Sequence, residues 1–212
     1  MMKKCLLILT AASVFCQIFN PASAQAIRCG TDAAMQELYL TNPASQVLRE
    51  NWEQTYSLPQ ILIAANGECD EHYVIPTVFH VFHNGGSSSV TMNQIQSALD
   101  KANEDFNLMN SDANTVDPTF MTRRGSLNIT FALAQTDPNG NATTGVNYYG
   151  AASGFGTTGM NSTIASYAWD NYKYLNIYIM TDLYGDGVTN NSGIAWLPDT
   201  WMSDNGIARI VY

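Results

Sequence analysis

The chain has 212 residues, with 9 basic and 18 acidic side chains and a formal net charge of -9. Because this excess of carboxylates repels phosphate groups, the composition argues against nucleic acids and anionic membranes as partners. The length and the 46% share of hydrophobic residues are sufficient for one domain with a hydrophobic core.

The N-terminus has the pattern of a secretory signal peptide. Lys3 and Lys4 precede a mostly apolar run from Cys5 to Phe19, and a small-x-small pattern ends at Ala24. We therefore expect cleavage after Ala24 and a secreted product. The apolar run is shorter than the about 20 residues of a membrane-spanning helix, and no other segment of the sequence predicts a membrane span.

Behind this leader, residues 25–71 are predicted to form a pro-segment. Two short helical stretches occur in it, Ala33–Tyr39 and Ala44–Tyr56. Helices of this length need another surface to pack against. A polar breaker at Asn66–Glu71 marks the expected boundary, and residues 72–212 are assigned to a second unit.

The second unit begins with a predicted strand and a predicted helix. Tyr73–His83 is β-branched and aromatic almost throughout, which predicts a strand. Pro76 has no N–H to donate, so we expect it near the start of that strand or at a sheet edge. Thr91 and Gln94 have the spacing of a capping box, and apolar residues follow at helical intervals, so Thr91–Leu108 is predicted to be a helix.

The remaining elements are predicted to be mostly strands: Leu127–Ala134, Tyr174–Thr181, Gly193–Leu197 and Ile207–Tyr212. A turn is expected at Asp137–Asn141, an irregular segment at Gly145–Ser166 and another turn at Pro198–Gly206. This order predicts an α/β fold with a twisted mixed sheet of four to five strands and one backing helix. One long helix leaves a sheet face uncovered, so we expect a fragment that exposes apolar surface.

Two cysteines, Cys29 and Cys69, remain once the leader is removed. One hypothesis is a disulfide between them, which an oxidising compartment permits. The other is a free Cys29 that binds a metal, because thiolates bind zinc and the neighbouring Arg28 favours the thiolate. In a secreted precursor, a pro-segment thiol of this kind would occupy a catalytic metal.

Histidines and acidic residues offer weaker metal-binding candidates. His80 and His83 lie three residues apart on a predicted strand, so their side chains point to opposite faces and are not expected to share an ion. We expect His72 to be solvated. Asp182, Asp186 and Asn190 lie among glycines and could offer oxygen ligands to calcium, but their spacing differs from that of an EF-hand, which favours a solvated turn.

Six blocks of sequence together resemble the pappalysin-like zinc metalloproteases of the metzincin clan. In order they are Arg28–Thr31, Tyr73–Val81, Gln94–Asn107, Asp137–Gly140, Lys173–Ile177 and Gly193–Pro198. The resemblance implies a metzincin-like upper subdomain, followed in the family by a helix with His-Glu-x-x-His. The family's histidines bind zinc, and the glutamate is the general base for the attacking water.

That zinc motif does not occur in this sequence. We therefore expect the N-terminal part of a secreted zinc endopeptidase precursor, truncated before the active-site helix and inactive alone. The resemblance implies protein or peptide substrates and two functional elements in this chain. Cys29 is the implied zymogen ligand of zinc, and the implied edge strand for the substrate backbone consists of Gly193, Ile194, Ala195, Trp196 and Leu197.

The alternative function is a secreted, non-enzymatic binding module. It would use an aromatic platform built from Tyr148, Tyr149, Tyr172, Tyr174 and Tyr178. Aromatic residues on sheets more often form the core or cross-strand pairs, which favours the protease hypothesis.

Overall fold

The computed structural model describes residues 30–55, 72–83, 85, 89–189, 192–197 and 199–212. The expected signal peptide, Cys29, Cys69 and the predicted boundary at Asn66–Glu71 lie outside the described residues. None of the helices in these ranges is long and apolar enough to cross a membrane.

Two helices form the part of the predicted pro-segment that is described. Helix α1 spans Thr31–Thr41 and helix α2 spans Pro43–Thr55, as the sequence predicts to within a few residues. Asn42 separates them, and its backbone N–H donates to the carbonyl of Leu38 at 2.7 Å. Pro43 opens α2, where its missing N–H removes no helical hydrogen bond.

A six-stranded sheet forms the centre of the molecule, in the order β2-β1-β4-β6-β5, with β3 also paired to β1. Its strands are β1 Tyr73–Phe82, β2 Ile129–Leu133, β3 Val146–Tyr149, β4 Leu175–Ile179, β5 Ile194–Ala195 and β6 Ile210–Val211. All pairings are parallel except that of β5 with β6. The α/β class with a mixed sheet is confirmed, although there are six strands instead of four to five.

Strand β1 is central because it pairs on both sides. Its first half pairs with β2, its second half pairs with β3, and β4 lies along its other side from Thr77 onward. Pro76 precedes the pairing with β4, so it lies near the strand start as predicted.

Helix α3, Met92–Phe106, covers one face of the sheet, and the capping box predicted from Thr91 and Gln94 is present. Ile95 and Leu99 are buried against apolar side chains of β1 and β4. The Asn103 amide bonds both backbone groups of Phe131, at 2.7 and 2.9 Å, and so fixes the helix to β2.

The second face of the sheet is covered, which corrects the expectation that it would be bare. Phe155 and Ile164 are fully buried there, and α1 contributes further apolar side chains. Two short helices help to cover this face, α4 at Asn161–Tyr167 and α5 at Thr200–Asp204. The sequence analysis predicted one backing helix, α3, and did not predict the two short helices that help to cover the second face.

Three elements occur where irregular chain or a turn was predicted. Strand β3 and helix α4 lie within Gly145–Ser166, and α5 lies within Pro198–Gly206. Each is seven residues or shorter, so local propensity alone is too weak to specify it. Pairing with β1 stabilises β3, burial of Ile164 stabilises α4, and the Asp199 carboxylate caps α5.

Candidate functional site

The candidate site is built on β5, which among the described strands pairs only with β6 and so forms an edge of the sheet. The ladder contains two residue pairs, Ile194 with Val211 and Ala195 with Ile210. A further bond, from the Trp196 N–H to the carbonyl of Arg209 at 3.3 Å, extends it. Because backbone groups alternate along a strand, the N–H groups of Ala195 and Leu197 face away from β6.

Helix α1 occupies this outward edge with side chains instead of a strand. The Ala195 N–H donates to Thr31 Oγ1 and the Leu197 N–H donates to Met35 Sδ, each at 3.3 Å. Four helical residues rise about 6 Å and two strand residues rise about 6.6 Å, so one helical turn matches the strand repeat. The two backbone donors of the edge are therefore both satisfied by α1.

Apolar packing fixes the same helix to the domain. Ala34, Met35 and Leu38 are 6%, 5% and 1% exposed. They belong to the core cluster that also contains Ile194 and Trp196 of the edge region. The buried side of α1 is thus part of the main hydrophobic core.

Polar contacts hold α1 and α2 at two further points. The Thr158 hydroxyl donates to the Glu37 carboxylate, and the fully buried Ser45 hydroxyl donates to Asp199. Asp199 also accepts the Met202 N–H at 2.7 Å as the N-cap of α5. One carboxylate therefore ties α2 to the chain that follows the edge strand.

The N-terminal end of α1 lies against the loop that follows β4. Gly30 has an ordinary φ of -77°, but a Cβ at this position would collide with the hydroxyl of Tyr184. The close approach of Tyr184, and not the backbone conformation, therefore favours glycine here, and a larger residue would require the Tyr184 hydroxyl to move. Cys29, the predicted zinc ligand, directly precedes this contact in the sequence and lies outside the described residues.

The other predicted edge residues fall into two groups. Gly193 has φ of +106°, and a Cβ on it would lie 2.8 Å from the ring of Tyr212, so both backbone and packing favour glycine. Ile194 and Trp196 are each 3% exposed, whereas Leu197 is 39% exposed. The edge position is observed, and the role in substrate binding stays a prediction.

Arg209 is a buried cation beneath the edge strand that the sequence analysis did not identify. Its guanidinium carbon lies 3.7 Å from the ring centroid of Trp196, and its N–H groups donate to the carbonyls of Phe155, Ile207 and Thr157. Burial lowers its pKa to about 10. A lone arginine in the apolar stretch Ile207–Tyr212 was the available sequence signal.

The histidines do not form a zinc site. His80 is buried and bonds Asn176 Oδ1 at 3.0 Å, and burial lowers its pKa to about 4. His83 Nδ1 accepts the Gly85 N–H, and His72 Nε2 lies 2.8 Å from Thr130 Oγ1. Among the residues that the structure describes, no cluster of His, Cys, Asp and Glu fits a metal ion. We therefore derive no catalytic step through zinc from this part of the chain.

The acidic loop at Asp182–Gly187 is held together by hydrogen bonds between its own residues. The Asp182 carboxylate accepts the backbone N–H groups of Gly185 and Gly187, at 2.8 and 2.9 Å, and that of Asp186 at 3.3 Å. These bonds lower the pKa of Asp182. Asn190 lies outside the described residues. The Asp182 oxygens thus accept backbone donors of the same loop, as in an ordinary turn.

The five tyrosines do not share one surface. Tyr178 is fully buried, and Tyr149 stacks on Phe82 at 4.8 Å between ring centroids. The Tyr172 hydroxyl donates to Asp204 and the Tyr174 hydroxyl donates to the carbonyl of Thr136. These two tyrosines precede the first residue of β4. No aromatic platform forms from this set.

Comparison with known proteins finds a similarity to a peptidase family. Residues 158–212 match a metallopeptidase family. Its sequence model is peptidase M43, described as Pregnancy-associated plasma protein-A. The match covers about a quarter of the chain and includes β4, β5 and β6. No curated protein matches the sequence significantly.

The fold is similar to solved structures of mirolysin from Tannerella forsythia, a metzincin metalloprotease. Mature mirolysin in complex with a cleaved peptide is 30% identical with a TM-score of 0.57, over 67% of this chain and 53% of that one. A mutant of promirolysin is 28% identical with a TM-score of 0.65, over 86% of this chain and 58% of that one. The chain thus spans between about half and three fifths of the length of these structures.

Proposed function

We propose that this chain is the N-terminal part of a secreted zinc-dependent endopeptidase precursor, in which α1 blocks the substrate-binding edge. The observation that carries the proposal is the pair of hydrogen bonds from Ala195 and Leu197 to α1 side chains. A peptide substrate that extended the sheet would need the same two N–H groups. Helix and substrate would therefore exclude each other.

The two mirolysin structures support the assignment of a pro-segment. The promirolysin match covers 86% of the chain and the mature match covers 67%, a difference of 19% of 212 residues, or about 40 residues. The segment between Gly30 and Glu71 has nearly this length. A precursor match that is longer than the mature match by about this length is what a removable pro-segment predicts.

Zinc would be bound by a part of the protein that the relatives have and this sequence does not contain. A groove of about 560 Å³ on the sheet supports this proposal. It is bordered by Leu175 and Ile210, which also pack against the α3 side of the sheet. The helix that carries His-Glu-x-x-His in the family would pack along this groove. The 212 residues alone would then lack peptidase activity.

Cys29 is proposed as the thiolate that blocks the metal in the precursor. Two observations support it: Arg28 favours the thiolate, and Gly30, the next residue, lies close to Tyr184 and Ile194. A disulfide between Cys29 and Cys69 is the competing hypothesis. Mass spectrometry of the unreduced protein distinguishes the two.

The test uses a precursor extended C-terminally to the length of promirolysin. We expect chelator-sensitive cleavage of casein after residues 25–71 are removed, and none from residues 25–212 alone. Cys29→Ala should shorten the latent period of the extended precursor, with Cys69→Ala as the matched control. An extended protein that never cleaves peptides with zinc present, or a 25–212 chain that cleaves casein, would contradict the proposal.

The non-enzymatic binding module is less well supported because the tyrosines do not converge on one surface. It predicts saturable binding of oligosaccharides or proteins without cleavage.

A further inference from the structure

We propose that Arg209 acts through Trp196 to fix the register of the edge strand β5. Arg209 is then a positioning residue that determines which backbone groups the edge presents. Its effect on substrate rests on the proposed peptidase function, whereas its effect on register does not. Nothing in the family match or in the similarity to mirolysin assigns this role.

The ladder itself specifies the register weakly. Two residue pairs join β5 to β6, with the Trp196 N–H bond as a third link. A slip of one residue would reverse the orientation of every side chain and every N–H on the strand. Ala195 and Leu197 would then turn their N–H groups toward β6, and the edge would offer those of Ile194 and Trp196 instead.

The stack between Arg209 and Trp196 opposes such a slip. The guanidinium carbon lies 3.7 Å from the ring centroid, and both residues are 3% exposed. A cation–π contact is strongest when it is shielded from water. A slip would move the indole to the opposite face of the sheet, and the buried cation would lose its aromatic partner.

Arg209 is anchored independently of β5. Its side chain donates to the carbonyls of Phe155 at 2.9 Å and Thr157 at 3.0 Å, in the loop before α4, and to that of Ile207 at 2.9 Å. In the described part of the chain it forms no ion pair with a carboxylate. The guanidinium is thus held in place by three backbone groups and serves as a fixed reference for Trp196.

A buried charge is a poor way to gain stability, because a well-packed apolar side chain of similar volume often stabilises as much or more. Buried polar groups are in some proteins retained for conformational specificity. The register of β5 is the specific feature that Arg209 contacts, which is why we infer positioning and not only packing.

The first test follows register directly in the 212-residue chain by NMR. In the wild type, cross-strand contacts should pair Ile194 with Val211 and Ala195 with Ile210. Trp196→Leu keeps an apolar residue but removes the π face, so we expect loss of these contacts and about tenfold faster exchange of the backbone amide at position 196, which donates to the Arg209 carbonyl in the native register. Trp196→Phe keeps a stacking surface and should stay within about threefold of wild type.

Two further variants separate positioning from stability. Arg209→Lys keeps the charge but loses the planar guanidinium, so it should resemble Trp196→Leu. Ile95→Val, under α3 on the other face, lowers stability without touching β5 and should leave the exchange ratio between the position-196 amide and the core amides unchanged. If Ile95→Val accelerates exchange of the position-196 amide as much as Trp196→Leu does, or if Trp196→Leu keeps the wild-type pairing, the inference is wrong.

The second test uses the extended and activated enzyme. We expect Trp196→Leu to raise KM for a peptide substrate about tenfold with little change in kcat, and Trp196→Phe to restore KM. A wild-type enzyme without activity would refute the proposed function while the NMR result still decides the register. An active Trp196→Leu enzyme with an unchanged KM would refute the positioning role.

Discussion

Gly30 is a point of close approach between the α1 segment and the rest of the domain. Its Cα faces the hydroxyl of Tyr184, and the side chain of Ile194 lies 3.3 Å from the position of a Cβ. Of the three atoms nearest to that Cβ position, two belong to the Tyr184 side chain and the third belongs to Ile194 of the edge strand. A single methyl group at residue 30 would press on both.

We predict that Gly30→Ala loosens α1 from the edge strand. The added Cβ cannot share space with the Tyr184 hydroxyl, so we expect the α1 amides to exchange about tenfold faster, equivalent to about 1.4 kcal/mol. Gly125→Ala is the matched control, because a Cβ there meets nothing within 4 Å. Adding Tyr184→Phe to Gly30→Ala should restore much of the protection, and a double variant as loose as the single one would rule out this steric cause.

His80 makes the stability of the domain depend on pH. Burial against Tyr178, whose ring centroid lies 4.7 Å away, lowers the pKa of the imidazole from 6.5 to about 4. The unfolded chain therefore takes up a proton before the folded chain does. The contribution of His80 to the free energy of unfolding is therefore fully present above about pH 6.5. It is lost as the pH drops toward 4, and the total loss is about 3 kcal/mol.

The measurement is urea unfolding between pH 7 and pH 4. We predict that His80→Phe removes this part of the pH dependence, although Asn176 then loses a bonding partner and stability at pH 7 falls. Equal slopes in wild type and His80→Phe would show that other groups cause the acid sensitivity.

At the scale of elements, α1 has one face in the core and one in solvent. Leu38 is 1% exposed, whereas Leu40, two residues later, is 84% exposed. The helix therefore contributes to the domain through a narrow stripe that also meets the backbone of β5.

We predict that Leu38→Ala destabilises the chain by about 2–5 kcal/mol, because it opens a cavity beside Trp196 and Met202. Leu40→Ala should change stability by no more than about 0.5 kcal/mol. Chemical denaturation followed by tryptophan fluorescence gives both values. A similar loss in the two variants would mean that α1 contributes helical propensity and not packing.

The long elements could be predicted from the sequence, and the short ones could not. Tyr73–His83 and Thr91–Leu108 have enough periodic residues to specify a strand and a helix alone. Strand β3 has four residues and becomes a strand because Phe79–Phe82 pairs with it. The Asp199 cap of α5 was visible in the sequence, but five residues give too little periodicity to separate a helix from a turn.

The position of the candidate site could be predicted from the sequence, but the side chains that contact the edge strand could not. The edge strand at Gly193–Leu197 was expected, and β5 is an edge. Thr31, Met35 and Arg209 were missed, because contacts between residues more than 150 positions apart, as for Thr31 and Met35, depend on the fold and leave no local pattern. The expected bare sheet face was wrong for the same reason: residues that cover it come from several short segments.

At the scale of the whole molecule, β1 is central in the sheet but early in the chain. Its partners begin at Ile129, Val146 and Leu175. All three pairings are parallel, so each needs a long crossover before the first ladder bond can form.

During synthesis, the apolar half of β1 therefore leaves the ribosome about 60 to 100 residues before its partners at Val146 and Leu175. Val78, Phe79, Val81 and Phe82 would all be unpaired in that interval, although each is at most 5% exposed in the finished fold. A nascent chain with such a segment is a natural substrate for a chaperone that binds extended apolar peptides. The apolar half of β1 is thus unpaired, and prone to aggregation, before the edge strand β5 has been synthesised.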